Sequence, residues 1–208
     1  MGAMLRKEVR LTAHPMTFLL VFGGAMVLIP NYPYTVAFFY VTLGLFFRFV
    51  NARDQRDFTF CMLLPLRRRD VVRGAFAFSV AVEAAAVLVA GAAVWLGAAL
   101  APGRTNGAGV DANAAAIGFG LVVLAVFNGT FFPAYYRTGY RVGAAFARAC
   151  VGMALVAALD VVAPHLVPWL DGRDPRQLAV LAAGAAVYAA VTLRSCRVSA
   201  ARFERADL

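Results

Sequence analysis

Hydrophobic residues fall into six long runs, and short polar stretches separate them. The runs are too long for loops, and each ends where charges or turn residues collect. They predict membrane-spanning helices over residues 16–30, 34–50, 74–100, 114–133, 149–163 and 177–193. A spanning helix needs about 20 predominantly apolar residues, so the first run is short. The helix before it, or a tilted neighbour, has to supply the difference. Pro164 and Pro168 follow the fifth run and are expected to break its helix near the outer face. The predicted fold class is all-α: a polytopic membrane protein with six transmembrane helices, forming one transmembrane domain over residues 1–208.

The polar stretches orient these spans. Residues 1–14 set Leu5, Val9 and Leu11 against Arg6, Lys7 and Arg10, which reads as an amphipathic helix on the inner leaflet or as a plain basic flank. Residues 51–73 form the longest charged island, flanked by Arg48 and Gly74. Further polar stretches lie at 31–33, 102–113, 135–148 and 171–176, and a basic tail covers 194–208. Seventeen of the twenty lysines and arginines fall at the N-terminus, around the island, in 135–148 and in the tail; only Arg104, Arg173 and Arg176 lie in the alternate stretches. Positive charge collects on the cytoplasmic side, so both termini are expected inside. Arg48, near the inner end of the second run, is placed to reach the headgroups. The third and sixth runs are crowded with alanine and glycine, which let helix backbones approach closely.

Composition agrees with this reading. The chain is 62% hydrophobic and only 15% charged, against about 25% charged in soluble domains. A net charge of +9 would suggest nucleic acid in a soluble protein. Here the bases sit at the ends of apolar runs, so no nucleic-acid partner is expected and the lipid bilayer is the surrounding partner. Lys7 is the single lysine among the bases, and Ala, Val and Gly abound. That bias suggests a high-GC bacterial source and therefore a bacterial inner membrane. The first run ends at Pro30 without a small-residue cleavage site, so it reads as a span and not as a signal peptide. Cys61, Cys150 and Cys196 all fall on the inner side and make neither a disulfide framework nor a metal-ligand spacing.

No catalytic constellation is expected. There is no G-x-x-x-x-G-K-[ST] phosphate loop, no H-E-x-x-H and no G-x-S-x-G. His14 and His165 lie on opposite sides of the membrane. Asn128-Gly129-Thr130 has the glycosylation pattern but sits within a span, where it has no such use. Glu83 is the notable intramembrane charge: nine residues after Gly74, it is about 14 Å into the bilayer at a helical rise. It is a candidate for the translocation path or an interface, or else is held neutral or bonded to Ser79. Asp160 is expected near the outer headgroups, where a carboxylate is unremarkable.

The island carries the main constellation. Asp54, Asp57 and Asp70 alternate with Arg56, Arg68 and Arg69, while Phe58, Phe60 and Met62 interrupt the charges. A short helix there has an apolar side for a groove on a partner, or for lipid, and guanidinium groups for carboxylates. The run DFTFCMLLPLRRRDVVRG resembles the segment between spans two and three of ABC-2 type transporter permeases, with Leu64-Pro65, Arg68-Arg69, Asp70 and Val71-Val72 matching in order. The N-terminal L-R-K-E-V-R and the six-span layout are also similar to that family. It departs at Arg67, where a small hydroxyl residue is usual, and at Gly74-Ala75, where a lysine often stands.

The resemblance implies a permease subunit without enzymatic activity or cofactor of its own. It implies a coupling helix at 54–64 that docks into a cytosolic ATPase subunit, with Leu64, Pro65 and the following arginines alongside. ATP would be bound by that partner, and a second permease copy or homologue would complete the path. The alternative is a six-span secondary transporter or immunity-type membrane protein working without an ATPase.

Overall fold

A computed structural model describes residues 6–29, 31–63, 66–101, 103, 105–138 and 141–205, and every regular element among them is helical. A π-helical turn at Glu8–Thr12 comes first. His14 then caps helix α1, Pro15–Val21, its Nδ1 accepting from the Met16 amide at 3.1 Å, with Pro15 preset for the first turn. The same segment continues as a 3-10 helix, Phe22–Leu28. There follow α2 (Tyr34–Asp54), α3 (Asp57–Leu63), α4 (Arg68–Leu100), α5 (Ala114–Thr138), α6 (Val142–Leu166), a 3-10 turn at Pro168–Leu170 and α7 (Gln177–Glu204).

Five of these helices, α2, α4, α5, α6 and α7, are long and apolar enough to cross a membrane. The first apolar run is shorter, at Pro15–Leu28. Its second half gains length by tightening, because a 3-10 helix rises about 2.0 Å per residue against about 1.5 Å for an α-helix. The tightening begins at Phe22 and includes Gly23-Gly24, residues that hold an α-helix weakly. Gly24 also allows close contact: a Cβ there would stand 2.6 Å from the Ala86 carbonyl oxygen of α4.

Three boundaries differ from the sequence reading. Helix α6 runs through Pro164 and ends at Leu166. A proline forfeits a single bond to the carbonyl four residues back, and the Val167 amide still closes the last turn on Ala163 at 2.9 Å. The stretch 135–148 is largely the ends of α5 and α6, so Arg137 and Arg148 are helical residues. The basic tail is the last third of α7, a continuous helix of 28 residues, or about 42 Å. Leu5, Arg104, Leu64 and Pro65 lie outside the described residues.

Helix α5 is the centre of the bundle. Asn113 starts it, its Oδ1 accepting from the Ala115 and Ala116 amides. It packs along α7 most extensively, then α6 and α2. Gly118 and Gly184 make the α5–α7 approach: a Cβ on Gly118 would lie 2.8 Å from the Val180 carbonyl oxygen, and one on Gly184 would strike the Gly118 carbonyl. The other small residues of α7, Ala182, Ala183, Ala185 and Ala186, are exposed. In α4, Ala86, Ala90 and Ala93 are buried, while a Cβ on Gly91 would meet nothing. Close packing therefore uses one face of each small-residue run. On α6, Val151, Leu155 and Leu159 point outward, as do Leu178 and Leu193 on α7, which gives these helices an exposed apolar wall.

Replacing Gly184 by Val is expected to wedge α5 from α7 and to destabilise the detergent-solubilised protein by ~2 kcal/mol, the usual scale for overpacking. Gly91→Ala should be neutral or stabilising by up to ~1 kcal/mol through helix propensity. Thermal unfolding followed by circular dichroism compares the two; equal behaviour would contradict the packing described.

Candidate functional site

The charged island is bound into the rest of the chain by ion pairs. Helix α2 ends at Asp54, and Arg56 takes a left-handed backbone with φ of 52° to start α3 in a new direction. For a residue with a side chain that conformation costs about 1 kcal/mol. The turn aims Asp57 at Lys7, whose ammonium donates to both Asp57 oxygens at 2.8 Å and lies 3.1 Å from Glu8 Oε1. The other Glu8 oxygen accepts from Thr12 Oγ1 at 2.6 Å and from the Arg48 guanidinium. Asp57, Lys7, Glu8 and Arg48 thus form one chain of charge from α3 through the N-terminal turn into α2.

Burial makes this chain strong. Glu8 is 1% exposed and Arg48 2%. The Arg48 guanidinium lies 4.2 Å from the Phe49 ring centroid, and its Nε has no partner. Arg48 therefore does not reach for headgroups, because Glu8 is folded in to meet it. Desolvation pushes the Glu8 carboxyl upward, but Arg48, Lys7 and the Thr12 and Arg48 hydrogen bonds outweigh it and hold the group below its ordinary 4.5. Desolvation likewise pulls Lys7 down, and Glu8 with Asp57 leave it above 10.5. Cys61 is buried beside Lys7, and burial and Asp57 push its thiol up.

Around this chain the island residues divide into inward and outward sets. Phe58 turns in, its ring 4.8 Å from Phe203, 5.5 Å from Tyr135 and 5.9 Å from Tyr136. Met62 is half-buried against the same core. Phe60 and Leu63 face out, 49% and 81% exposed. Asp54 pairs with Arg53 and Asp70 with Arg73, all at the surface. Arg69 forks onto Glu204, and Arg68 Nη1 donates to the Phe203 carbonyl at 3.1 Å, so the start of α4 is bound to the end of α7.

Glu83 stands apart from that assembly, fully buried among α4, α5 and α7. Its Oε2 accepts from Asn128 Nδ2 at 3.0 Å and from the Tyr188 hydroxyl at 2.5 Å. Asn128 Nδ2 also meets Thr192 Oγ1 at 3.1 Å, and Ser195 donates to the Asn128 carbonyl. Ser79 is not its partner; that hydroxyl bonds the Ala75 carbonyl. Glu83 Oε1 and Asn128 Oδ1 are both buried without partners. Asp160 is 1% exposed, accepts from Thr35 Oγ1 at 3.0 Å and would stand 3.3 Å from a Cβ on Gly109, so it is enclosed between α2, α6 and the 105–113 stretch instead of sitting among headgroups.

The family model described as ABC-2 family transporter protein matches residues 3–199, which include the N-terminal turn, the island and every long helix but the last five residues of α7. The chain belongs to the ABC-2 transporter family. No curated protein and no solved structure matches it. As an ABC-2 permease it is a multi-pass membrane transport subunit.

Several residues of this permease's site escaped the sequence reading. Glu8 lay within a basic flank and looked incidental. Lys7 carried a signal in being the single lysine, and Arg48 in being a charge inside an apolar run. Asn128 was hidden by its resemblance to a glycosylation site, and Tyr188 and Thr192 by ordinary positions in α7.

Glu8→Gln should leave Arg48 buried without a counter-charge and lower stability by ~3 kcal/mol. Glu8→Leu with Arg48→Leu should recover most of that loss. The Glu8 carboxyl is depressed, so its stabilisation is complete above pH 4.5 and disappears as pH falls through the lower folded-state value. Thermal melts from pH 7 to pH 3 should show this acid-side loss in the native permease and a smaller one in Glu8→Gln. At the second cluster, Glu83→Leu strands Asn128 and Tyr188 and should cost ~2 kcal/mol. Glu83→Gln can keep accepting from both and also donate an N–H, so its melting temperature should match or exceed the native one.

Proposed function

We propose that this chain is one permease half of an ATP-driven exporter. Two copies, or this chain and a homologue, frame the path, and separate cytosolic ABC ATPase subunits bind ATP and drive it. Helix α3 is the coupling helix onto which the ATPase docks. The observation that carries this reading is the anchoring of α3. It is attached through Asp57 and Lys7 to the N-terminal turn and α2, and through Phe58 to the ends of α5 and α7, while Phe60 and Leu63 remain outward. Motion imposed on such a helix passes into the spans, because packed side chains and buried ion pairs do not stretch.

The rest of the arrangement follows from the same frame. With Pro15–Leu28 counted as the short first span, six crossings place both termini in the cytoplasm of a bacterial cell, with the chain in its inner membrane. The excess of arginine on that side supports the orientation. Arg68 and Arg69 hold the α4–α7 junction beside the docking helix, and Arg56 sets its direction. Glu83, bridging α4, α5 and α7, lines the path or the contact between permease halves, and its charge state responds to which helices close around it.

Co-purification with a cytosolic ABC ATPase co-expressed with this permease tests the assignment. Phe60→Asp with Leu63→Asp should reduce ATPase recovery about tenfold, the effect expected on losing a small apolar anchor, while membrane insertion is unchanged. Undiminished recovery would defeat the coupling role. A Phe60→Cys variant without the three natural cysteines should react with an impermeant maleimide only after the cells are opened; labelling of intact cells would reverse the orientation.

A further inference from the structure

A groove of about 470 Å³ runs along α5 between α6 and α7 and is lined by Arg137, Arg148, Arg194 and Arg202. Arg202 is held in place, donating to the Pro133 carbonyl at 2.7 Å. The other three are exposed and, among the described residues, have neither an ion pair nor a hydrogen bond. Four like charges in one groove repel each other, so the arrangement calls for an anion. The charges also extend along the helix axes. Arg194 lies ten residues before the end of α7, about 15 Å, and Arg148 six residues into α6, about 9 Å. Beyond them the groove becomes uncharged, at Val191, Gly129 and Thr130.

The geometry points to an anionic phospholipid of the adjacent leaflet as the occupant, its phosphate held by Arg148, Arg194 and Arg137 and its chains along Val191 and the outward face of α6. Three observations select that occupant. The neighbouring walls are apolar, with Val151, Leu155 and Leu193 outward, so the groove lies where acyl chains are. No aromatic residue lines it, so a nucleotide base finds no stacking surface. A second copy of this chain offers few carboxylates, because Asp54, Asp70 and Glu204 are already paired with Arg53, Arg73 and Arg69. Guanidinium groups match phosphate oxygens in pairs, which makes arginine effective for this contact. Pro133 donates nothing to the Gly129 carbonyl on the groove wall, which leaves an acceptor for a headgroup hydroxyl. The inference needs a chain embedded in a bilayer and does not rest on ATPase coupling.

Titration of the full permease in mild detergent with phosphatidylglycerol, phosphatidylcholine or inorganic phosphate tests it, bound lipid being counted by native mass spectrometry. Phosphatidylglycerol should bind about tenfold or more tightly than phosphatidylcholine, and millimolar inorganic phosphate should not displace it. Arg148→Gln with Arg194→Gln should weaken phosphatidylglycerol by about tenfold or more, while Arg53→Gln with Arg73→Gln, on the same side but outside the groove, changes it by less than about threefold. If the double variant does not fold, Arg194→Gln alone should still give a loss of about fivefold. Equal affinity for the two lipids overturns the inference, as does equal loss from both pairs of substitutions. Displacement by inorganic phosphate overturns it in favour of a soluble anion.

Discussion

A buried guanidinium cannot remain unpaired in an apolar bundle, and the end of this permease that carries the charged island is built around meeting that demand. Arg48 is fully enclosed, so Glu8 must enter the protein, and with it the N-terminal turn. Once Glu8 is in place, Lys7 stands beside Asp57, and α3 has an anchor. The π-helical geometry of Glu8–Thr12 fits this role: it lets Thr12 reach back to both the backbone and the carboxylate of Glu8. Removing any one charge strands another, so the segment behaves as a unit although its parts are far apart in sequence.

Next to the ion pairs lies a continuous cluster of rings. Phe49, Phe131, Phe132 and Tyr135 meet edge to face or stacked, Phe76 joins through Phe132, and Phe58 and Phe203 close the end next to the island. Edge and face contacts fix relative orientation better than aliphatic packing does. The result is a stiff block beneath α3, made from α2, α4, α5 and α7. Farther out the contacts change character. Gly118, Gly184, Gly24 and Ala86 bring backbones together, and van der Waals contact replaces ring packing.

The two remaining polar features differ in what surrounds them. The Glu83 cluster is enclosed by protein, shares its hydrogen bonds among three helices and leaves acceptors unfilled. Such a cluster holds helices in register. The arginine groove lies at the surface between α6 and α7, and its charges have no ion pair among the described residues.

Hydropathy alone determined the class of this protein and its long apolar helices, because each depends only on which residues are adjacent in the chain. The small-residue runs likewise announced close packing. Tertiary structure alone decided which partner each charge takes. Glu8 with Arg48, Lys7 with Asp57, Arg69 with Glu204 and Glu83 with Asn128 and Tyr188 are pairings across 40 to 135 positions, and no local pattern encodes them. It also decided that Phe58 faces inward while Phe60 faces out, since a short helix has no side of its own until a bundle supplies one. Lipid makes the burial of apolar residues unselective, so the specific arrangement rests on the few polar groups that must find each other.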